Sequence, residues 1–297
     1  MRQALTRVDT PFMKRACYSI WGLRWPFGIC LLGSLASTAW VSAEPQKPEW
    51  QARELSLQIP ARVRIAGGWF VLGSDEAELE RALALCRQEK NADCDKSQFT
   101  AETPARRVFV RSFEIDRLEV SNAAYDRCVS AGRCLPPRGE RARPELPVVQ
   151  VSWREAREYC RFMGGDLPTE AQWEYAAHGD SQRSFPWGDA WSPERTSHDL
   201  RDVTSHPQAK SFFGLLNLAG NVAELVLDRY VAPYASTTER VDPVQLDASG
   251  AERVLRGGSY RSQPQALRTR SRAAIAEQEA RTDVGFRCAY STGRAGP

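Results

Sequence analysis

Hydrophobic and polar positions alternate in two early stretches of the chain. Val63 to Gly73 alternates and then breaks at glycine, which predicts two short strands around a turn. Arg107 to Asp116 carries a second strand pattern. Between them, Leu79, Leu83 and Leu85 stand among charges and predict a short exposed helix over Glu76–Arg87. Three further segments carry helix start signals. Ser121 to Ser130 is helical, with Ser121 or Asn122 as its cap. Ser152 caps a helix running to Met163, and Glu155 three residues later completes a capping box. Thr169 and Gln172 repeat the device for a helix ending at Ala177. Beyond that, glycines, prolines and tryptophans interrupt every long periodic run, and no internal repeat is visible. The pattern is that of one α+β domain rich in irregular loops.

The amino-terminal pattern differs in kind. Lys14 and Arg15 precede an uncharged run from Trp25 to Trp40, and Val41-Ser42-Ala43 follows before the polar Glu44-Pro45. A basic start, a short apolar centre and small residues before a cut form the layout of a secretory signal peptide, here residues 1–43, cleaved after Ala43. An uncleaved membrane anchor is the competing reading, since Trp25 to Ala43 nearly reaches spanning length. Gly, Ser, Thr and Pro dilute the run and favour cleavage, hence a periplasmic protein. Residues 44–61 read as a polar leader, 62–290 as the domain and 291–297 as a tail.

Charge changes the picture once that segment is set aside. It holds five of the 40 Lys+Arg and one of the 37 Asp+Glu, so the mature chain carries 35 against 36. The excess basicity belongs to the export signal. Nucleic-acid binding wants a strong basic surplus, and none remains. The arginines at 127, 133, 138, 141 and 143 read as a solvated loop.

Six cysteines follow residue 43: Cys86, Cys94, Cys128, Cys134, Cys160 and Cys288. An even set behind a signal peptide reads as disulfides in an oxidising compartment. Close spacing favours Cys86–Cys94 and Cys128–Cys134, leaving Cys160 for Cys288. Zinc is the alternative, but no Cys-x-x-Cys occurs, and His178, His198 and His206 form no ligand-spaced cluster.

Several motifs in order carry a resemblance. They are Gly67-Gly-Trp-Phe-Val-Leu-Gly-Ser74, Glu114-Ile-Asp-Arg-Leu-Glu-Val-Ser121 and Pro147-Val-Val-Gln-Val-Ser-Trp153. Leu167-Pro-Thr-Glu-Ala-Gln-Trp-Glu-Tyr175, Phe185-Pro-Trp-Gly188 and Phe213-Gly-Leu-Leu-Asn-Leu-Ala-Gly-Asn221 follow, then Arg256-Gly-Gly-Ser259 and Gly285-Phe-Arg-Cys288. Over residues 62–290 the chain resembles the formylglycine-generating enzyme, or sulfatase-modifying factor, family. The resemblance implies a single α+β domain of low regular secondary structure, related to C-type lectins, and it also implies the pairing Cys160–Cys288.

Enzymes of that family hold copper(I) on two cysteines in the loop after Arg-Gly-Gly-Ser, and a soft cuprous ion requires thiolates. Here Tyr260 to Leu267 holds none; Ser262 stands about where the first would be. Ala177 and Thr269 take the approximate positions of the family's second disulfide. The added helical domain of the iron-dependent branch has no counterpart. The resemblance therefore implies a member that does not oxidise cysteine to formylglycine and carries no copper.

It also implies a calcium site of Asn217, Gly220, Val222 and Glu224, all oxygen donors. Ala223 and Leu225 replace the tryptophans that flank this Glu in the family. The competing reading is a structural turn capped by Asn217 and Glu224. A second calcium site finds only Ser197, His198, Asp199 and Asp202 and is not assigned.

Three functions are compatible with this layout. One is an exported regulator that binds a periplasmic or membrane protein, such as the periplasmic part of a membrane kinase. TagR-type regulators, which promote the threonine-kinase pathway that activates type VI secretion, have that general plan. Tyr260 and Arg261 are then the first candidates for partner contact, with Arg256 and Arg268 holding the loop. Another is an enzyme of different chemistry, because the family includes a periplasmic protein needed for the pyoverdine siderophore chromophore. Tyr260, Arg261 and His178 would be its acid–base candidates. The third is a carbohydrate-binding module.

Overall fold

A computed structural model describes residues 60–89, 93–139, 143–234, 240–247 and 250–292. These lie in one compact unit, Lys47–Pro297. The signal-peptide and leader expectations fall outside the described residues.

The four helices start where the caps place them. α1 spans Glu76–Cys86 behind Asp75, α2 spans Asn122–Ser130 behind Ser121, α3 spans Trp153–Phe162 and α4 spans Glu170–His178. Both predicted capping boxes form: Ser152 with Glu155, and Thr169 with Gln172. Each satisfies two otherwise unpaired amides at a helix start.

The first strand run gives two short strands around a turn, as expected, whereas the second, expected as one strand, also divides. The first divides into β1 (Arg62–Ile65) and β2 (Gly68–Leu72), the second into β3 (Arg106–Val110) and β4 (Phe113–Asp116). The halves do not pair across their own turns. β1 pairs antiparallel with β4, and β2 pairs with β3. The carboxy-terminal part adds β5 (Ala223–Arg229), β6 (Glu252–Arg256), β7 (Arg272–Ala276), β8 (Val284–Gly285) and β9 (Ala289–Ser291). Three sheets result, in the orders β1-β4-β9, β2-β3 and β7-β6-β5-β8.

Two apolar clusters fill the space between these elements. One gathers α2 and α3 around Tyr125, Tyr159 and Phe286. The other gathers β1–β4 and α4 around Phe70, Trp173 and Val226. Three disulfides join Cys86 to Cys94, Cys128 to Cys134 and Cys160 to Cys288, as expected. The last closes 128 residues, worth about 4–5 kcal/mol on the chain-entropy account.

The expectation of an exposed α1 is corrected. Glu78, Leu79, Ala82, Leu83 and Cys86 are buried. Its inner face meets Phe99, and Glu78 accepts from Arg268, 190 residues away, at 3.1 Å.

Candidate functional site

The loop after β6 is built from two glycines and a layer of buried charge. Gly257 and Gly258 both have positive φ, +79° and +61°. A Cβ on Gly257 would stand 3.0 Å from the Trp173 ring, and one on Gly258 would stand 2.8 Å from the Ala266 carbonyl. Only glycine fits both the backbone angle and the space. The turn then locks itself. The Ser259 amide donates to Ser262 Oγ at 2.9 Å, and Ser259 Oγ donates to Asp283 at 3.0 Å. Leu267 buries itself against Phe185 and Ala219.

Beneath the loop, arginines from its two flanks enter the core. Arg256 pairs with Glu174 and with Glu170, and donates to the Thr269 and Arg270 carbonyls. Arg268 reaches Glu78 at 3.1 Å and Glu102 at 2.6 Å. Arg272 donates to both oxygens of Glu170 at 2.8 Å. Burial alone would raise the Glu174 pKa, but the Arg256 charge and the His178 bond outweigh it and hold it at about 2. So Arg256 and Arg268 do hold the loop, through carboxylates that local sequence patterns do not pair with them.

The other candidates divide. Tyr260 is half-buried and Arg261 exposed; Arg261 Nε donates to Tyr260 Oη at 3.1 Å. They form a surface pair with no carboxylate bonded to either. His178 is fully buried, 3.5 Å from Glu174 and edge-on to Phe70. Burial lowers its pKa, outweighing the bond to Glu174, which raises it. It lies inside the core rather than at a surface where substrate could reach it. Ala177 and Thr269 are buried, with Thr269 Oγ1 donating to the Arg183 carbonyl at 3.1 Å. Of the arginine-rich loop, Arg138 forks onto Glu155 at 2.8 and 3.1 Å.

One site escaped the sequence reading. A groove of about 1280 Å3 runs between β2–β3 and the β4–β9 edge, with Trp69, Phe109, Leu167, Leu227 and Tyr290 among its walls. Trp69 is 44% exposed and meets Phe109 edge-on, 5.4 Å apart. Alternation carried the signal: Phe70 and Leu72 point inward on β2, so Trp69 points out. The same holds for Phe109 between Val108 and Val110. Tyr260 and Arg261 do not line this groove.

Residues 46–292 match the sulfatase-modifying factor enzyme 1-like domain. The chain belongs to that family. It is 38% identical over 295 residues to the formylglycine-generating enzyme of Streptomyces coelicolor, covering 77% of this chain and 88% of that protein. It is 34% identical over 305 residues to inactive C-alpha-formylglycine-generating enzyme 2 of Mus musculus, covering 80% and 88%. Among solved structures, PvdO from Pseudomonas aeruginosa shares the fold, with a TM-score of 0.61 at 19% identity over 78% of this chain and 94% of that one.

Within this family frame, the Asn217–Glu224 turn lies directly behind the loop. The Tyr260 amide donates to the Asn221 carbonyl at 2.9 Å. Asn217 has a positive φ of 61°, and its amide nitrogen donates to Glu119 at 2.6 Å and to the Val203 carbonyl at 2.9 Å. Asn221 donates to Glu119 at 3.0 Å. Glu224 accepts from Arg287 at 2.6 and 2.7 Å and from the Trp173 indole at 2.8 Å. Burial, then the Glu224 charge, pushes the Glu119 pKa up to about 8. Among the described residues no three Asp, Glu, His or Cys side chains converge as a metal set. Two buried carboxylates, Glu119 and Glu224, stand there with the Asn217 and Asn221 amides and backbone carbonyls. Oxygen donors of that kind suit a hard cation. Calcium there would share Glu224 with Arg287.

Proposed function

We propose that this chain is an exported, non-catalytic member of its family that binds a protein partner, with the 259–269 loop as a contact surface. One observation carries the reading. All six cysteines after residue 43 are joined in disulfides, and the loop between Ser259 and Thr269 contains none. No thiolate is left there for a cuprous ion. The relative named inactive supports the reading; the relatives named as enzymes leave the decision to the loop itself. Three disulfides suit an oxidising compartment and so support export. No helix among the described residues is long and apolar enough to cross a membrane.

Tyr260 and Arg261 supply the partner contact, since aromatic and arginine side chains dominate interface hot spots. The periplasmic part of a membrane threonine kinase in the type VI secretion pathway is the partner to test first. Calcium, held by Asn217, Gly220, Val222 and Glu224, would stiffen the turn behind the loop. The deciding experiment incubates purified protein with copper, oxygen and a Cys-x-Pro-x-Arg peptide, followed by mass spectrometry. The peptide is expected unchanged; formylglycine above a no-protein control overturns the reading.

The apolar groove favours a second reading, an enzyme of different chemistry acting on a small aromatic molecule, as in siderophore maturation. Deleting the gene and profiling secreted siderophores separates the two. Binding on a glycan array would point to the carbohydrate-binding alternative.

A further inference from the structure

A second hollow, of about 350 Å3, opens between the outer face of α3 and the strands β5 and β6. α3 contributes Arg154, Arg157 and Arg161. Spacings of three and four residues put them on one face of the helix, over a length of about 10 Å. Arg229 of β5 and Arg253 of β6 face them, and Glu158 and Glu277 are the only acids in the lining. The guanidinium groups are already ordered. Arg253 stands 3.5 Å over the Trp153 ring, with Arg157 5.1 Å from the same ring. Glu277 is buried and accepts from Arg154 at 2.5 Å and from Arg253 at 2.7 and 3.0 Å, with Arg229 at 3.9 Å. Asp166 accepts from Arg157 at 2.8 Å, with Arg161 at 3.8 Å.

Five guanidinium groups thus share Glu277 and Asp166, and even with the exposed Glu158 in the lining positive charge is in surplus. Arg154 and Arg161 keep 66% and 59% of their side chains exposed, so most of their N–H donors face solvent. Each carries five donors in a planar fork matched to a carboxylate. Asp166, which holds Arg157 and stands near Arg161, lines the apolar groove. A small free anion would occupy two forks and leave the rest of this length empty.

We propose that this cleft binds an acidic stretch of polypeptide in extended form. Same-side carboxylates on an extended chain repeat every ~6.6 Å, so two of them fit along the arginine face of α3. Forks held by ring stacking and shared carboxylates lose little further freedom on binding, which favours the complex. The inference adds the partner's chemistry to the protein-binding reading. Its failure leaves the Tyr260–Arg261 contact untouched, because neither residue lines this cleft.

The test uses a fluorescein-labelled peptide with glutamate at alternate positions, its lysine counterpart and the full mature protein, read by anisotropy. Binding of the glutamate peptide alone is expected, weakening as salt rises. Arg154→Glu with Arg161→Glu is expected to weaken it at least about tenfold, the scale for losing close charge pairs. Both side chains are exposed, and Arg154→Gln with Arg161→Gln gives a milder variant whose melting verifies the fold. No binding of the glutamate peptide, or equal binding by both double variants, overturns the proposal. Stronger competition by inorganic phosphate or by anionic vesicles than by unlabelled peptide overturns the polypeptide assignment.

Discussion

The loop after β6 and the groove beside β2 are held in opposite ways. The loop rests on ion pairs sealed inside the protein: Arg256, Arg268 and Arg272 against Glu78, Glu102, Glu170 and Glu174. The groove is walled by apolar side chains such as Trp69, Phe109, Leu227 and Tyr290, with Arg111, Asp166 and Asp242 also in its lining. A buried ion pair fixes geometry strongly, because removing one member strands the other without solvent. An apolar wall tolerates exchange of volume more readily. A loop stripped of its thiolates can therefore keep its shape, while the groove is free to vary in what it accepts.

The sharpest way to break this contrast is to empty the charge layer. Arg256→Met strands Glu174, while Glu170 keeps Arg272, and denaturant unfolding should show a loss of about 3–5 kcal/mol. Trp69→Ala in the groove, on a side chain 44% exposed, should cost clearly less. Next in size is the long disulfide: replacing Cys160 and Cys288 by alanine should cost about 2–5 kcal/mol by the same measurement.

Calcium comes third. A cation binding only the folded turn adds about 2.7 kcal/mol at a hundredfold excess over its dissociation constant. Melting should rise with calcium in the parent and stay flat in Asn217→Ala; a flat parent favours the purely structural turn.

The pH response separates two kinds of buried carboxylate. Burial, then the Glu170 charge, raises Asp228 from 3.8 to about 7. A raised carboxyl binds its proton more tightly when folded. Its contribution is therefore full below its unfolded value and is lost as pH climbs through roughly 4 to 7. Glu174, held at about 2, behaves oppositely: its contribution is present above 4.5 and lost as pH falls toward 2. Asp228→Asn should flatten the decline in melting temperature between about pH 4 and 7, and a decline identical to the parent's would refute this assignment. The smallest effect is expected at the loop surface. Tyr260→Ala with Arg261→Ala should shift stability by about 0.5 kcal/mol or less while weakening partner pull-down.

What the sequence made legible follows from how local each signal is. The Ser152–Glu155 and Thr169–Gln172 caps act within one helical turn, and those helices begin where the caps stand. The two short strands of the first run were legible, but their partners, about 50 and 40 residues away, were not, because alternation does not encode that choice, and the break between β3 and β4 was missed. Charged positions along α1 suggested exposure, yet Glu78 is buried for an arginine 190 residues distant. The groove was legible in part, since alternation on β2 and β3 turns Trp69 and Phe109 outward. That those two face β9 across a hollow depends on tertiary packing. The candidate loop was found from Arg256-Gly-Gly-Ser259, and the core placement of His178 only from the fold.

The span of the Arg268 pairs bears on how the chain comes together. As the protein emerges amino terminus first, Glu102, Glu170 and Glu174 lack their arginine partners until residues 256–272 arrive, and Glu78 has only Arg81. Until then, burying those acids is unfavourable, and contacts across 166 and 190 residues are slow to close. α1 and the segment around Phe99 therefore complete their burial only with the carboxy-terminal third in place.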